Sequence, residues 1–365
     1  MTGAPSEFPP HTRMETGGPP RPARPAGRGA LRLILAAAGI ALLVWLFRTV
    51  GWSAIEENLR AIGPLFLVII ALYGLAQTAF FLGWWAVMKP RPPASRLPGL
   101  FGVYLAGDAA NYVAPGGVAG EPLKVRLLSG SLGAGPALAS VTLHKQVDLI
   151  AQVVFVLAGI GIALARFPMS PAARGGALAG VVLLGAMLGG FSWALRRGTY
   201  GGAVTWLSRF RIFARLLHHR EKAQAVDASI RRFHDEHGGW FAAGIGLCFL
   251  GWCVGALETW IVLHRLAPGG GWAQALGIEA LSVVAVTMLL FLPGRIGGAE
   301  SARTGICVLL GLSPAQGVAY GLARRAREIA WALPGFVVIL VRAVRPRASG
   351  GEAPVAKLAR GEARP

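Results

Sequence analysis

Acid is scarce in this chain: 17 Asp and Glu stand against 36 Lys and Arg, a formal net charge of +19 over 365 residues. In a soluble protein that surplus would point to nucleic acid. Here the cations cluster between long apolar runs, so membrane topology and anionic lipid account for them and nucleic acid is set aside. Cysteine is scarcer still. Cys248, Cys253 and Cys307 lie inside apolar segments with no CxxC spacing, which argues against a disulfide framework or zinc site and makes them small buried hydrophobes. No nucleotide-binding motif occurs, so nothing supplies ATP drive, and no cofactor is expected. The apolar residues come in blocks instead of alternating, which excludes a β-barrel. No cleavable signal peptide is evident.

Hydrophobic sequence is abundant, 54% of residues. Charge-free runs cover Leu33–Phe47, Ala61–Met88, Leu149–Ala165, Gly175–Leu195 and Gly238–Leu257. A span needs roughly 20 mainly apolar residues. The expectation is an all-α polytopic membrane protein with about six spanning helices and two re-entrant or broken helical hairpins in an inverted repeat. Residues 1–30 and 345–365, rich in Pro, Gly and Arg, read as disordered cytoplasmic arms around a membrane domain at 31–344. Arg13, Arg21, Arg24, Arg28 and Arg32 hold the N-terminus in the cytoplasm ahead of a first span at 31–50. Further spans are expected at 61–88, 136–165, 175–195, 238–264 and 314–343, with hairpins at 98–130 and 272–312. Both termini then lie inside, where nearly all basic loops collect.

The largest soluble piece, 196–237, carries nine Lys and Arg and an apolar pattern through Trp206, Leu207, Phe210, Phe213, Leu216 and Leu217. It reads as an amphipathic cytoplasmic stretch on anionic lipid. His234 and His237 have the helical spacing of a metal pair, yet no Cys or acidic pocket accompanies them, so a solvated basic face is expected and no metal.

One motif occurs twice. The first copy runs Asn111-Tyr-Val-Ala-Pro115-Gly116-Gly117-Val-Ala-Gly120-Glu121-Pro-Leu-Lys124-Val-Arg126; the second runs Pro293-Gly294-Arg295-Ile-Gly297-Gly298-Ala-Glu300-Ser-Ala-Arg303. Each has Pro-Gly, more glycine, Glu, and a cation three residues on. Each then reaches a charged cluster on an apolar helix: His144, Lys145 and Asp148, or Arg324, Arg325, Arg327 and Glu328. The step from Glu121 to Asp148 is 27 residues and that from Glu300 to Glu328 is 28. The two halves are repeat 1 (61–165) and repeat 2 (238–343), which the topology turns upside down relative to each other. Inverted repeats with broken helices meeting near the midplane are a recurrent transporter architecture.

A broken helix exposes N–H groups that receive an anion, and glycine lets a bulky group approach its backbone. Beside those breaks stand Lys124, Arg126 and Lys145 in one half and Arg295, Arg303, Arg324, Arg325 and Arg327 in the other. Guanidinium matches phosphate geometry. Lys145–Asp148, His144–Asp148 and Arg324–Glu328 share helix faces at i,i+3 or i,i+4, so these carboxylates are expected as partners of the cations. The bland alternative is that the charges snorkel to an interface and the glycine motifs are ordinary loops; the repetition of the order weighs against it. His144 reads as a packing or hydrogen-bonded histidine, with a protonatable gate as its alternative. Glu258 and Glu279 are intramembrane acids whose role, cavity lining or structural pairing, stays open.

These motifs, with Leu292-Pro293-Gly294, Arg327-Glu328 and Leu333-Pro334-Gly335 in the second half, resemble the lysylphosphatidylglycerol synthase transmembrane, flippase-like family over about 31–344. The resemblance implies a lipid translocase of a bacterial inner membrane, moving an anionic or modified headgroup between leaflets, with membrane lipids and a lipid-biosynthesis enzyme as partners. Bifunctional members carry a soluble aminoacyltransferase domain after the membrane part; this sequence stops after a short tail, so transport without covalent catalysis is expected. Two alternatives stand beside it: a headgroup transferase using Asp148 or Glu328 as base, and a non-catalytic partner recruiting enzymes through 196–237. This sequence departs from the motif in reading Val-Ala-Gly before Glu121.

Overall fold

The structure is a computed structural model that describes residues 52–114, 117–198, 220–289 and 297–344. The chain is an all-α polytopic membrane protein. Its helices are α1 (Trp52–Ile62), α2 (Leu65–Ala86), α3 (Leu97–Val113), α4 (Gly120–Leu132), α5 (Ala134–Arg166) and α6 (Pro171–Arg197). They continue as α7 (Arg220–Glu236), α8 (Gly238–Leu266), α9 (Trp272–Met288), α10 (Gly298–Leu309) and α11 (Pro314–Val344). Helices α2, α5, α6 and α8 are long and apolar enough to cross a membrane. α11 is longer still in residues than α2, but its arginines and Glu328 dilute its apolar character. The expected span at 31–50, both terminal arms and the Trp206–Leu217 pattern lie outside the described residues.

Local chemistry sets the breaks. Ser170 caps α6 by accepting the Ala173 N–H at 3.2 Å, with Pro171 at the first helical position. The two hairpins, α3–α4 and α9–α10, turn at glycines in the left-handed region, Gly117 at φ 58° and Gly297 at φ 77°. A side chain there would clash with the backbone.

Packing relates the two halves. α2 and α8 run antiparallel, since Gly83 faces Cys248 while Gly251 faces Phe80. α3 packs on α11, and α9 packs on α5. Each hairpin's first helix therefore lies on the long helix of the other half. Its second helix lies on the long helix of its own half, α4 on α5 and α10 on α11. This exchange is what a two-fold axis across the bundle produces. Large apolar side chains such as Leu67, Val182, Leu250 and Leu340 remain exposed on the outer surface, as lipid-facing residues do.

Small residues let the helices approach. A Cβ on Gly335 would lie 2.2 Å from the Leu105 carbonyl oxygen of α3. Neither is a flexible tip, so Gly335→Ala must push α3 and α11 apart. We expect a loss of about 1–3 kcal/mol, seen as a lower thermal midpoint of the purified protein in detergent. Gly130→Ala, where a Cβ meets nothing within 4 Å, is the matched control and should leave the midpoint unchanged or slightly raised.

The described part of the stretch expected to be amphipathic is α7, whose charged side is exposed and whose apolar side packs on protein. α7 buries Val226, Ile230 and Phe233 against α5. His234 bonds Ile230 O at 2.8 Å and Gln146 Oε1 at 3.0 Å. Nε2 thus ties α7 to Gln146 of α5, while Nδ1 faces a carbonyl of α7 itself.

Candidate functional site

The ordinary rule for a charge inside a membrane is that it finds a partner, because a bare one costs roughly 2.5–3.5 kcal/mol even on insertion scales. Four arginines and four glutamates obey it here: Arg327–Glu258, Arg324–Glu279, Arg325–Glu300 and Arg303–Glu328. Three of the arginines sit within four residues of α11 and point to different neighbours. Their carboxylates arrive from α8, α9 and α10, so the ion pairs tie the second half together.

Arg327 Nη1 donates to Glu258 Oε2 at 2.5 Å, with its guanidinium carbon 4.0 Å from the Tyr73 ring centroid on α2. Arg324 grips Glu279 with both terminal nitrogens, one at 2.9 Å to Oε1 and the other to Oε2. The same Oε2 accepts the Thr259 hydroxyl at 2.8 Å and the Tyr320 hydroxyl at 3.3 Å. That cluster is fully buried and saturates its carboxylate.

Arg325 does something different. Its Nε donates to Glu300 Oε1 at 2.5 Å, while Nη1 donates to the Tyr112 hydroxyl at 3.0 Å. Glu300 opens the second hairpin's returning helix and Tyr112 closes the first hairpin's entering one. One guanidinium thus touches both hairpin tips. Glu328 shares the arrangement, accepting from Arg303 at 3.0 Å and lying 3.6 Å from Arg325. Spare polar atoms surround it. Arg303 Nε and Nη1, Arg327 Nε and Glu300 Oε2 are buried without a hydrogen-bond partner among the described residues.

The first half is built with fewer charges. Asn111 Oδ1 accepts the Gly120 N–H at 2.6 Å and its Nδ2 donates to Glu121 Oε1 at 3.3 Å, which pins the tip. Only glycine fits at 120, because a Cβ would lie 2.1 Å from Gly107 O. Lys124 is 6% exposed, its Nζ 4.6 Å from the Tyr104 centroid and 5.6 Å from that of Trp84. Among the described residues no carboxylate lies within ion-pair distance of it. Asp108, one turn along α3 from Tyr104, accepts from Gln77 Nε2 at 2.8 Å. His144 donates Nε2–H to Phe80 O at 3.1 Å between the rings of Trp84 and Tyr104.

Of the residues singled out from sequence, Asn111, Gly120, Glu121 and Lys124 meet at the first tip, and Gly297, Gly298, Glu300, Arg303, Arg324, Arg325, Arg327 and Glu328 form or border the buried cluster. Gly117 makes the first turn. Arg126 and Lys145 are exposed, and Lys145 lies 3.5 Å from Asp148. Gly116, Gly294 and Arg295 lie outside the described residues. Two of the expected helix-face partnerships give way to longer-range ones. His144 bonds Phe80 O in place of Asp148, and Arg324 takes Glu279 in place of Glu328. Glu258 and Glu279 resolve as ion-pair partners.

Sequence reasoning passed over Tyr73, Tyr104, Tyr112 and Tyr320. The chain has only five tyrosines, and these four all touch the charged network. In so apolar a sequence their rarity was the available signal.

A model of the lysylphosphatidylglycerol synthase TM region matches residues 30–335. The chain belongs to that family. Comparison with curated proteins and with solved structures gave no match. The matched range takes in both hairpins and the arginine-bearing part of α11, so the charged core described above belongs to the family's own region.

Proposed function

We propose that this member of the lysylphosphatidylglycerol synthase TM-region family is a lipid translocase, passing the polar headgroup of an anionic or modified lipid between leaflets through the interior between its two hairpins. The observation that carries the proposal is the reach of Arg325 from Glu300 in one hairpin to Tyr112 in the other. Transport between leaflets requires a polar contact that both halves can make and break.

The charge balance supports the same reading. Because four arginines are matched by four glutamates, a phosphate can enter by taking a carboxylate's place on a guanidinium, whose planar donors fit both groups. The displaced carboxylate then needs a proton or a second cation, since it cannot stay bare. Arg303 keeps two unpartnered nitrogens beyond its bond to Glu328, and Lys124, beside aromatic rings, is a cation outside the four pairs. The helices of the hairpins, 17 and 13 residues in one and 17 and 12 in the other, are about 25 and 20 Å long at 1.5 Å per residue. Each is short of the roughly 30 Å hydrocarbon core, as a re-entrant hairpin requires. The distribution of basic loops supports a reading with both termini on the cytoplasmic side of a bacterial inner membrane. Membrane lipid is the partner, and no covalent step is involved.

The test uses purified full-length chain in vesicles containing a tail-labelled fluorescent anionic phospholipid. Dithionite quenches label in the outer leaflet alone. Protein should carry quenching well past the level reached in protein-free vesicles, within seconds to minutes. Identical traces with and without protein, across anionic and aminoacylated headgroups, would reject translocation.

A further inference from the structure

At the end of the bundle that carries Lys89, a pocket of about 270 Å³ opens between the turn after α2, the start of α5 and the end of α7. It shares no residue with the arginine cluster. Its wall is apolar on one side, where Leu143 and Phe233 line it. Its rim bears Lys89 and Arg232, with Glu236 as the opposing charge. Arg232 and Glu236 are 3.9 Å apart and both largely exposed, so screening by water leaves that pair little strength.

Two features aim this pocket at an anion. His237 lines it, and its Nδ1 is buried with no hydrogen-bond partner among the described residues. His237 is also the residue that precedes α8, and gives that 29-residue helix no side-chain cap. The positive end of the helix dipole therefore faces the same region. Ser140 and Ser229 add little as donors, because each hydroxyl hydrogen is already given to a backbone carbonyl.

Neighbouring tryptophans identify the surroundings. The Arg91 guanidinium lies 4.9 Å from the Trp85 centroid and 3.5 Å from that of Trp240. Trp240 is 42% exposed. Indole rings with one face apolar and one edge wet mark the headgroup level of a bilayer. A pocket at that level, apolar within and basic at its lip, has the polarity of a phospholipid.

We propose that this pocket binds the phosphate of an anionic membrane lipid, with Lys89, Arg232 and His237 on the headgroup and the Leu143–Phe233 wall against the acyl chain. It is a second lipid site, independent of the translocation path.

The probes are dihexanoyl phosphatidic acid, dihexanoyl phosphatidylcholine and inorganic phosphate, added to the detergent-purified full chain. The readout is the ligand-dependent shift in thermal midpoint. Phosphatidic acid should raise the midpoint saturably. The K89Q/R232Q double variant removes two cations and should weaken its apparent affinity by at least about tenfold, the effect of losing even one charge-assisted hydrogen bond. E236Q should tighten it, because the opposing charge is gone. All these side chains lie at the surface, and an unchanged elution volume and ligand-free midpoint verify that the variants fold. Equal shifts from phosphatidylcholine, or unaltered affinity in K89Q/R232Q, would overturn the site. An equal shift from inorganic phosphate would overturn the lipid assignment and leave a free-anion site.

Discussion

Glu279→Ala is expected to destabilise the protein by about 3–5 kcal/mol, the effect of leaving one member of a buried ion pair without its counter-charge. The site leaves little room for relief. Glu279 is 2% exposed, and its carboxylate is the anion that two nitrogens of Arg324 grip. Without it, Arg324 keeps only the Tyr320 hydroxyl at 2.7 Å and the Thr259 hydroxyl at 3.3 Å. Neither neutralises a cation. The measurement is the fraction folded in a detergent-denaturant titration. The double variant Glu279→Leu with Arg324→Met should recover most of the loss, since apolar residues of similar volume commonly replace a buried pair at little cost. If the single variant unfolds at the same denaturant concentration as the parent chain, the pair does not hold the second half together.

The helices were legible in the sequence because lipid removes ambiguity: a charge-free block long enough to span is a helix, since nothing else satisfies its backbone. Hence α6 and α8 begin and end within a few residues of the ranges expected from composition, and α5 and α11 do so despite the charges they carry. The two hairpins were legible through their glycines, which mark breaks in otherwise apolar helices. The partners of the charges were not. Sequence offers i,i+3 and i,i+4 neighbours, and Lys145 with Asp148 follows that rule at the exposed surface. In the interior the partners come from elsewhere, Arg324 reaching Glu279 and Arg327 reaching Glu258 across the helix interface. A carboxylate on another helix can approach a buried guanidinium head-on and exclude water, whereas one on the same helix must bend back along its own surface. The tyrosines were missed for the same reason. Tyr112 acquires its meaning only when α3 lies against α11.

Arg325 carries the largest expected effect on activity. Arg325→Ala should reduce headgroup movement in vesicles by about tenfold or more, because it removes charged hydrogen bonds worth about 1.5–3 kcal/mol each. Alanine also strands Glu300, which is 2% exposed, so loss of transport could reflect loss of the fold. Arg325→Lys separates the two. Lysine keeps a positive charge beside Glu300 and Glu328, but a single ammonium cannot reproduce the guanidinium's fork between Glu300 and Tyr112. The lysine variant should therefore elute and melt like the parent chain while moving lipid several-fold more slowly. Tyr112→Phe removes the same inter-hairpin bond from the other side, and should slow transport to a similar degree without altering the charge. Glu121→Ala and Glu300→Ala each release one tip and should also slow movement, by no more than Arg325→Ala does. Were the lysine and phenylalanine variants both to fold and to translocate at the parent rate, the contact between the hairpins would be a strut in the scaffold. The headgroup path would then have to run elsewhere.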